Sequence, residues 1–284
     1  MASDLRETIP TFGKPAAEQQ DEVSVTNWSA LSSMSFAKSG LEVLAIVLVA
    51  VAVIGGAELA VRVFNVKAYI LPRPSAIATA LFTHFGVFWP HLQITLKEML
   101  SGFAIGAAIG LILAAVITQF PFVEKVITPY ILLLVTTPMI ALVPLLIQKF
   151  GFGSTPRIIA VALASGPMVM INAATGFRRT DLSKIALARS YGASTLQTFV
   201  KVRFPLALPM IIVGLMVGSI FGLLTAVGAE IVGGTSGLGG QLSVYSSLLK
   251  MDYFWAIILL LALMGVLIYV IFYWIGKKWA SWQA

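Results

Sequence analysis

The chain has 284 residues, 58% of them hydrophobic and only 11% charged, with a formal net charge of +7. About a quarter of a soluble domain is charged, so this composition describes an integral membrane protein. Cysteine is absent, which excludes disulfides, thiol catalysis and cysteine-ligated metals.

Residues 1–38 are polar, rich in Glu, Asp, Gln and Ser, and carry no apolar periodicity. They predict a disordered tail. A secretory signal would begin with a basic region and an apolar core; neither is found, so the tail is expected to stay on the side of synthesis. The remainder, 39–284, is expected to form one transmembrane domain. Six apolar stretches occupy about 41–62, 93–117, 122–147, 155–176, 206–232 and 254–276. Each is near the roughly 20 residues that a helix needs to cross a bilayer. The predicted fold class is therefore an all-α membrane protein with six spans.

Between the first two spans, Pro72 and Pro74 fix extended backbone, and Ser75 is placed to cap a helix starting at Ala76. His84 and His91 also fall in this region, without the spacing or carboxylate company of a metal site. In the second span Gly102, Gly106 and Gly110 recur every fourth residue, a stripe that permits close helix contact within the bundle or across a dimer seam. The third span contains Thr136-Thr137-Pro138 and then Pro144; the fourth contains Ser165-Gly166-Pro167 and Asn172. Proline at membrane depth frees a carbonyl that neighbouring helices or water must satisfy. The hydroxyls and the amide serve equally as interhelical glue. Taken together beside two expected kinks, Thr136, Thr137, Ser165 and Asn172 are candidate pathway-lining residues.

After the fourth span comes a basic island, with Arg178, Arg179, Lys184, Arg189, Lys201 and Arg203 against Asp181 alone. Lys277 and Lys278 close the last span. The positive-inside rule makes both regions cytoplasmic, and six spans put both termini there. Arg62, Lys67 and Arg73 on the other side run against this but are outnumbered. Within the island, Ile185, Ala186, Ala188 and Arg189 stand at helical spacing, Gly192 permits a helix stop, and Leu196, Phe199, Val200 and Phe204 form a second amphipathic segment. Pro205 and Pro209 then introduce the fifth span. A short helix, a glycine break and a second short helix make a knob suited to a partner's groove.

Glu230 ends the fifth span. A carboxylate in lipid is costly and needs a partner, a proton or a wet cavity, so Glu230 is either a gate contact or the anchor of the glycine run that follows. That run, Gly233 to Gly240, has no lysine to reach a phosphate, and no Gly-x4-Gly-Lys-Ser/Thr sequence occurs anywhere. The chain is thus not expected to bind nucleotide.

Motif by motif, the sequence resembles the permease subunits of binding-protein-dependent ABC importers. The family's coupling-loop pattern (Glu-Ala-Ala, three residues, Gly, nine residues, an aliphatic, one residue, Leu-Pro) is matched by Ala186-Leu187-Ala188, Gly192, Val202 and Phe204-Pro205. Ala186 replaces the family's glutamate. Leu71-Pro72-Arg73-Pro74, Thr137-Pro138, Ala141 to Leu145, Phe150 to Gly153, Ala229-Glu230 and Gly237-Leu238-Gly239 resemble the nitrate/sulfonate/taurine branch.

The resemblance implies a type I importer permease in a bacterial inner membrane, acting as a homodimer. A cytoplasmic coupling loop, 178–205, would meet ATPase subunits through Ile185, Ala186, Leu187, Ala188, Arg189, Gly192, Ala193, Val202 and Pro205. The remaining implied partners are two cytoplasmic ATPase subunits, an extracytoplasmic substrate-binding protein and membrane lipid, with no nucleic acid. No cofactor would sit on this chain; ATP and Mg would bind the ATPase subunits. The implied cargo is a small anion such as a sulfonate, taurine or nitrate, and Glu230 joins the candidate pathway. The competing expectation is an ion-coupled secondary transporter that works without an ATPase.

Overall fold

In hydrocarbon every backbone polar group must be satisfied within the protein, which a helix achieves inside a single segment. The computed structural model describes residues 40–279, and every regular element among them is helical. The chain runs through α1 (Gly40–Val63), α2 (Pro74–Thr83), α3 (Phe85–Gln119), α4 (Pro121–Thr136), α5 (Met139–Phe150) and α6 (Ser154–Arg178). Two short helices follow, α7 (Leu182–Ser190) and α8 (Thr195–Thr198). A π-helical segment, Phe199–Arg203, carries α8 into α9 (Phe204–Gly233), after which α10 (Gly237–Ser247) and α11 (Met251–Trp279) close the fold. The expected tail, 1–38, lies outside the described residues. Residues 53–279 belong to one compact unit; the described part of the other is the first half of α1, up to Ala52, whose Leu44, Ile46 and Val49 are exposed.

Five stretches are long and apolar enough to cross a membrane, and α4 with α5 gives a sixth if the pair is one span. That pair is bent by 97°. The cause is local: Pro138 cannot continue the ladder, and Thr137 before it is pushed to extended backbone (φ −80°, ψ 124°). The expected second kink does not break α6, which runs unbroken through Pro167; α5 likewise continues through Pro144. α3 begins at Phe85, well before the expected start of the second span, and α2 starts at Pro74 rather than Ala76. Ser75 is not its cap. The Ser75 N–H and hydroxyl both donate to the Glu58 carboxylate of α1, at 3.0 and 2.9 Å, so a neighbouring helix satisfies this terminus.

The core is built around α6, which lies between α3 and α9. An added Cβ at Gly102 would fall 2.5 Å from the Val161 Cβ, and at Gly106 2.5 Å from the Ala162 carbonyl oxygen. The glycine stripe of α3 is therefore spent on contact with α6 within the chain. Gly214, Gly218 and Gly222 of α9, at the same four-residue spacing, approach α6 from the other side against Asn172, Val169 and Val161. Phe88, Met99, Leu223, Leu238, Ile257 and Leu260 fill one end of the bundle, and Ala114, Met170, Ala173, Phe177 and Ile211 the other.

Candidate functional site

The knob between α6 and α9 is held rigid by local hydrogen bonds. Asp181 caps α7, its Oδ1 accepting the Ser183 N–H at 2.9 Å and the Ser183 hydroxyl at 2.7 Å. Those bonds hold the Asp181 carboxyl below the usual carboxylate range. α7 stops at Gly192, whose φ of +78° lies in the left-handed region. Its N–H donates to the Arg189 carbonyl at 2.9 Å and that of Ala193 to the Ala188 carbonyl at 3.1 Å. Nothing lies within 4 Å of where a Gly192 Cβ would stand, so the backbone angle, not space, demands glycine here. Ser194 and Gln197 form a reciprocal capping box at α8. The ring of Phe177 in α6 packs on Phe199 at 4.9 Å between centroids, fastening the knob to the bundle.

Within this frame the sequence-predicted coupling residues divide. Ile185 is turned inward and buried, Ala188, Ala193, Val202 and Pro205 are half-buried, and Ala186, Leu187, Arg189 and Gly192 are exposed. Further large apolar side chains stand out of the knob: Leu182 (76% exposed), Tyr191 (85%), Leu196 (72%) and Val200 (56%). Lys184, Arg189 and Lys201 are exposed among them. Exposed apolar patches rimmed by polar groups mark surfaces that contact a protein or a membrane. Arg178 at the base of the knob is paired with Glu124 of α4 at 2.6 Å.

A second polar centre is fully buried inside the bundle. Glu98 of α3 and Arg157 of α6 form an ion pair at 3.2 Å, and Glu230 of α9 lies beside them. All three side chains are 2% exposed or less. The Glu230 carboxylate accepts the Thr95 hydroxyl at 2.7 Å on Oε1 and the Gly239 N–H at 2.7 Å on Oε2. The Thr95 oxygen in turn accepts the Leu238 N–H at 2.9 Å. Arg157 donates from Nη2 to the Gly233 carbonyl at 2.9 Å and from Nη1 to the Ser236 hydroxyl at 3.0 Å. Glycine at 237 has a φ of +83°, and a Cβ there would collide with the Glu230 carboxyl. The glycine run is thus a close-packed strap tied down by three helices. Sequence reasoning singled out Glu230 but missed Glu98, Arg157 and Thr95. Their signal was available: an acid and a base in separate apolar runs, with Thr95 and Glu98 on one helix face at i, i+3.

The remaining candidate pathway residues are not brought together within one chain. Thr136 and Thr137 sit at the α4–α5 break, where their hydroxyls turn back to the Leu132 and Leu133 carbonyls at 2.6–3.2 Å. Ser165 is fully buried where α6 meets Gly106. Asn172 donates to the Met168 carbonyl at 2.8 Å and is half-buried against Gly214. Open recesses among the described residues include one of about 380 Å³ bordered by Arg73, Thr79, His84 and Asp252, and one of about 430 Å³ bordered by Thr235 and Ser243. Neither includes any of these four residues.

Comparison with known proteins gives a family model, described as "Binding-protein-dependent transport system inner membrane component", that matches residues 106–281. The chain is 33% identical over 228 residues to SsuC of Escherichia coli K12, a permease protein assigned to aliphatic sulfonates transport, covering 80% of this chain and 87% of that one. It is 30% identical over 205 residues to the taurine transport system permease protein TauC of the same organism, covering 70% and 74%. Among solved structures, a chain of an amino acid ABC transporter superposes with a TM-score of 0.60 at 20% identity, covering 70% of this chain and 97% of that one.

Proposed function

Because the chain belongs to the inner-membrane components of binding-protein-dependent transport systems, the permease subunits of ABC importers, we propose that it forms the translocation pathway for a small organic or inorganic anion of the sulfonate and taurine kind. Two copies line the pathway in a bacterial inner membrane, with both termini in the cytoplasm. An extracytoplasmic binding protein delivers the anion. Two cytoplasmic ATPase subunits, which hold the ATP and Mg, dock on the knobs and drive the exchange between inward-open and outward-open packings.

The observation that carries this reading is the rigid knob with its bare apolar face, Leu187, Tyr191 and Leu196 among exposed lysine and arginine. Such a face fits a groove with an apolar floor and an acidic rim. Sulfonate and taurine relatives support the substrate class. The test is Gly192→Asp, which forces a side chain into left-handed backbone, at a cost of roughly 1–2 kcal/mol, and adds a negative charge beside the docking face. The variant should reach the membrane in normal amount, fail to stimulate its ATPase partner and fail to transport. Normal uptake would refute the docking assignment.

A further inference from the structure

The buried centre at the strap has an unequal charge inventory. Glu98 of α3 and Glu230 of α9 face the single cation Arg157 of α6. α10 adds only hydroxyl and backbone groups to the centre, its one ionisable side chain, Tyr245, being packed on Phe88 and Tyr253. On α3 the other ionisable residues nearby are His91, two turns before Glu98, and Lys97, which is exposed. With both carboxyls ionised the centre would hold one uncompensated negative charge in a site closed to water, which is strongly unfavourable.

The hydrogen bonds around the two acids leave room for one compensating proton. Both oxygens of Glu230 accept hydrogens, from Thr95 and from Gly239. Thr95 Oγ1 accepts the Leu238 N–H and has a single hydrogen, with Glu230 Oε1 at 2.7 Å and the His91 carbonyl at 3.2 Å as its two acceptors. On Glu98, Oε1 accepts from Arg157, while Oε2 is buried with no hydrogen-bond partner. A buried acceptor left bare is costly; a hydroxyl at the same place becomes a donor.

We propose that Glu98 and Glu230 hold one proton between them, so that a neutral acid, one carboxylate and one guanidinium make an electrically balanced, proton-holding latch. The proton is the ligand of this site. It lets Arg157 and Glu230 tie the Gly233–Gly240 strap to α3, α6 and α9 without a net buried charge. Loss of that proton would put a second carboxylate in the same closed space and loosen the strap, so the latch holds only while the site stays protonated.

The test is infrared spectroscopy on the purified full-length chain in detergent at neutral pH, in light and heavy water. The wild type should show one protonated-carboxyl stretching band that shifts on incorporation of isotope-labelled glutamate. Glu98→Gln, which copies the neutral acid in shape and polarity, should remove that band while melting within a few degrees of wild type and retaining uptake. Glu230→Gln should leave a centre in which Glu98 pairs with Arg157 as an ordinary carboxylate, so the band should vanish there too. A wild-type spectrum without the labelled-glutamate band overturns the proposal, whether water or a metal cation balances the site instead. So does a band that survives Glu98→Gln. Because the wild-type measurement stands alone, a variant that fails to fold does not rescue the idea.

Discussion

Gly106→Ala offers a sharp test of the packing around α6, because one methyl group is added where two backbones meet. Its Cβ would stand 2.5 Å from the Ala162 carbonyl oxygen and 3.0 Å from the Ala162 Cα, and would collide with the Ser165 hydroxyl. Backbone atoms cannot step aside as a long side chain can, so α3 and α6 must separate. Overpacking of this kind costs about 1–3 kcal/mol. Gly265 of α11 provides the matched control, since nothing lies within 4 Å of a Cβ there. Gly265→Ala therefore only exchanges glycine for a better helix former, a gain of up to about 1 kcal/mol. The propensity gain is common to both helical sites, so the two variants should differ by the overpacking cost, roughly 1–3 kcal/mol, or on the order of 3–10 °C in melting temperature. Thermal unfolding of both chains purified in the same detergent reads this directly. If Gly106→Ala melts with Gly265→Ala or above it, α3 does not press on α6 as described, and the reasoning about the glycine stripe fails.

Two further predictions concern single hydrogen-bonding groups. Thr95→Val keeps the shape but leaves Glu230 Oε1 and the Leu238 N–H each without the Thr95 partner, at about 1–3 kcal/mol apiece; Thr95→Ser restores both bonds. The valine chain should melt well below wild type and the serine chain close to it, and equal melting of all three would show that the relay contributes nothing. Asp181 lies outside the spans, and its carboxyl is held below the usual range by Ser183. A depressed carboxyl contributes its stabilisation above the unfolded-state value and loses it as pH falls through the folded one. Amide exchange at the start of α7 should thus stay protected through the range where a free aspartate protonates, and rise only at lower pH; an Asp181→Asn chain with the same pH profile would contradict this.

Much of this architecture is legible in the sequence because lipid simplifies the problem. Apolar runs of spanning length can only be helices here, and the spacing of Ala186, Gly192 and Pro205 marks the knob without any tertiary information. What is not legible depends on which helix faces which. Gly214, Gly218 and Gly222 repeat the spacing of Gly102, Gly106 and Gly110, yet only the fold tells that both stripes clasp the same helix. Ser165 reads as polar and available, but Gly106 and Gly218 close over it. Pro138 and Pro167 look alike in sequence. The first breaks its helix by 97°, with the Thr136 and Thr137 hydroxyls turned back to the Leu132 and Leu133 carbonyls; the second is carried inside an unbroken helix packed on both sides. Proline supplies the opportunity for a kink, and neighbouring helices decide whether it is taken.

That contrast bears on how force could travel through the chain. The knob joins the end of α6 to the start of α9, and these two helices are in close contact along their length through Gly176, Gly214, Gly218 and Gly222. A push on the knob therefore reaches both together and cannot readily part them, since α6 is also clasped by α3. At the far end the strap ties α3, α6 and α9 to α10. The group α3–α6–α9 is thus held together at both ends, whereas the α4–α5 pair carries the break at Thr137-Pro138 and exposes Leu132, Leu133, Ile140 and Leu145. Shape change driven from the knob must be taken up by tilting that group against its surroundings and by flexing at that break. If the chain changes shape in this way, the exposed apolar residues along α4 and α5 change their surroundings while the buried hydroxyl of Ser165 keeps its own.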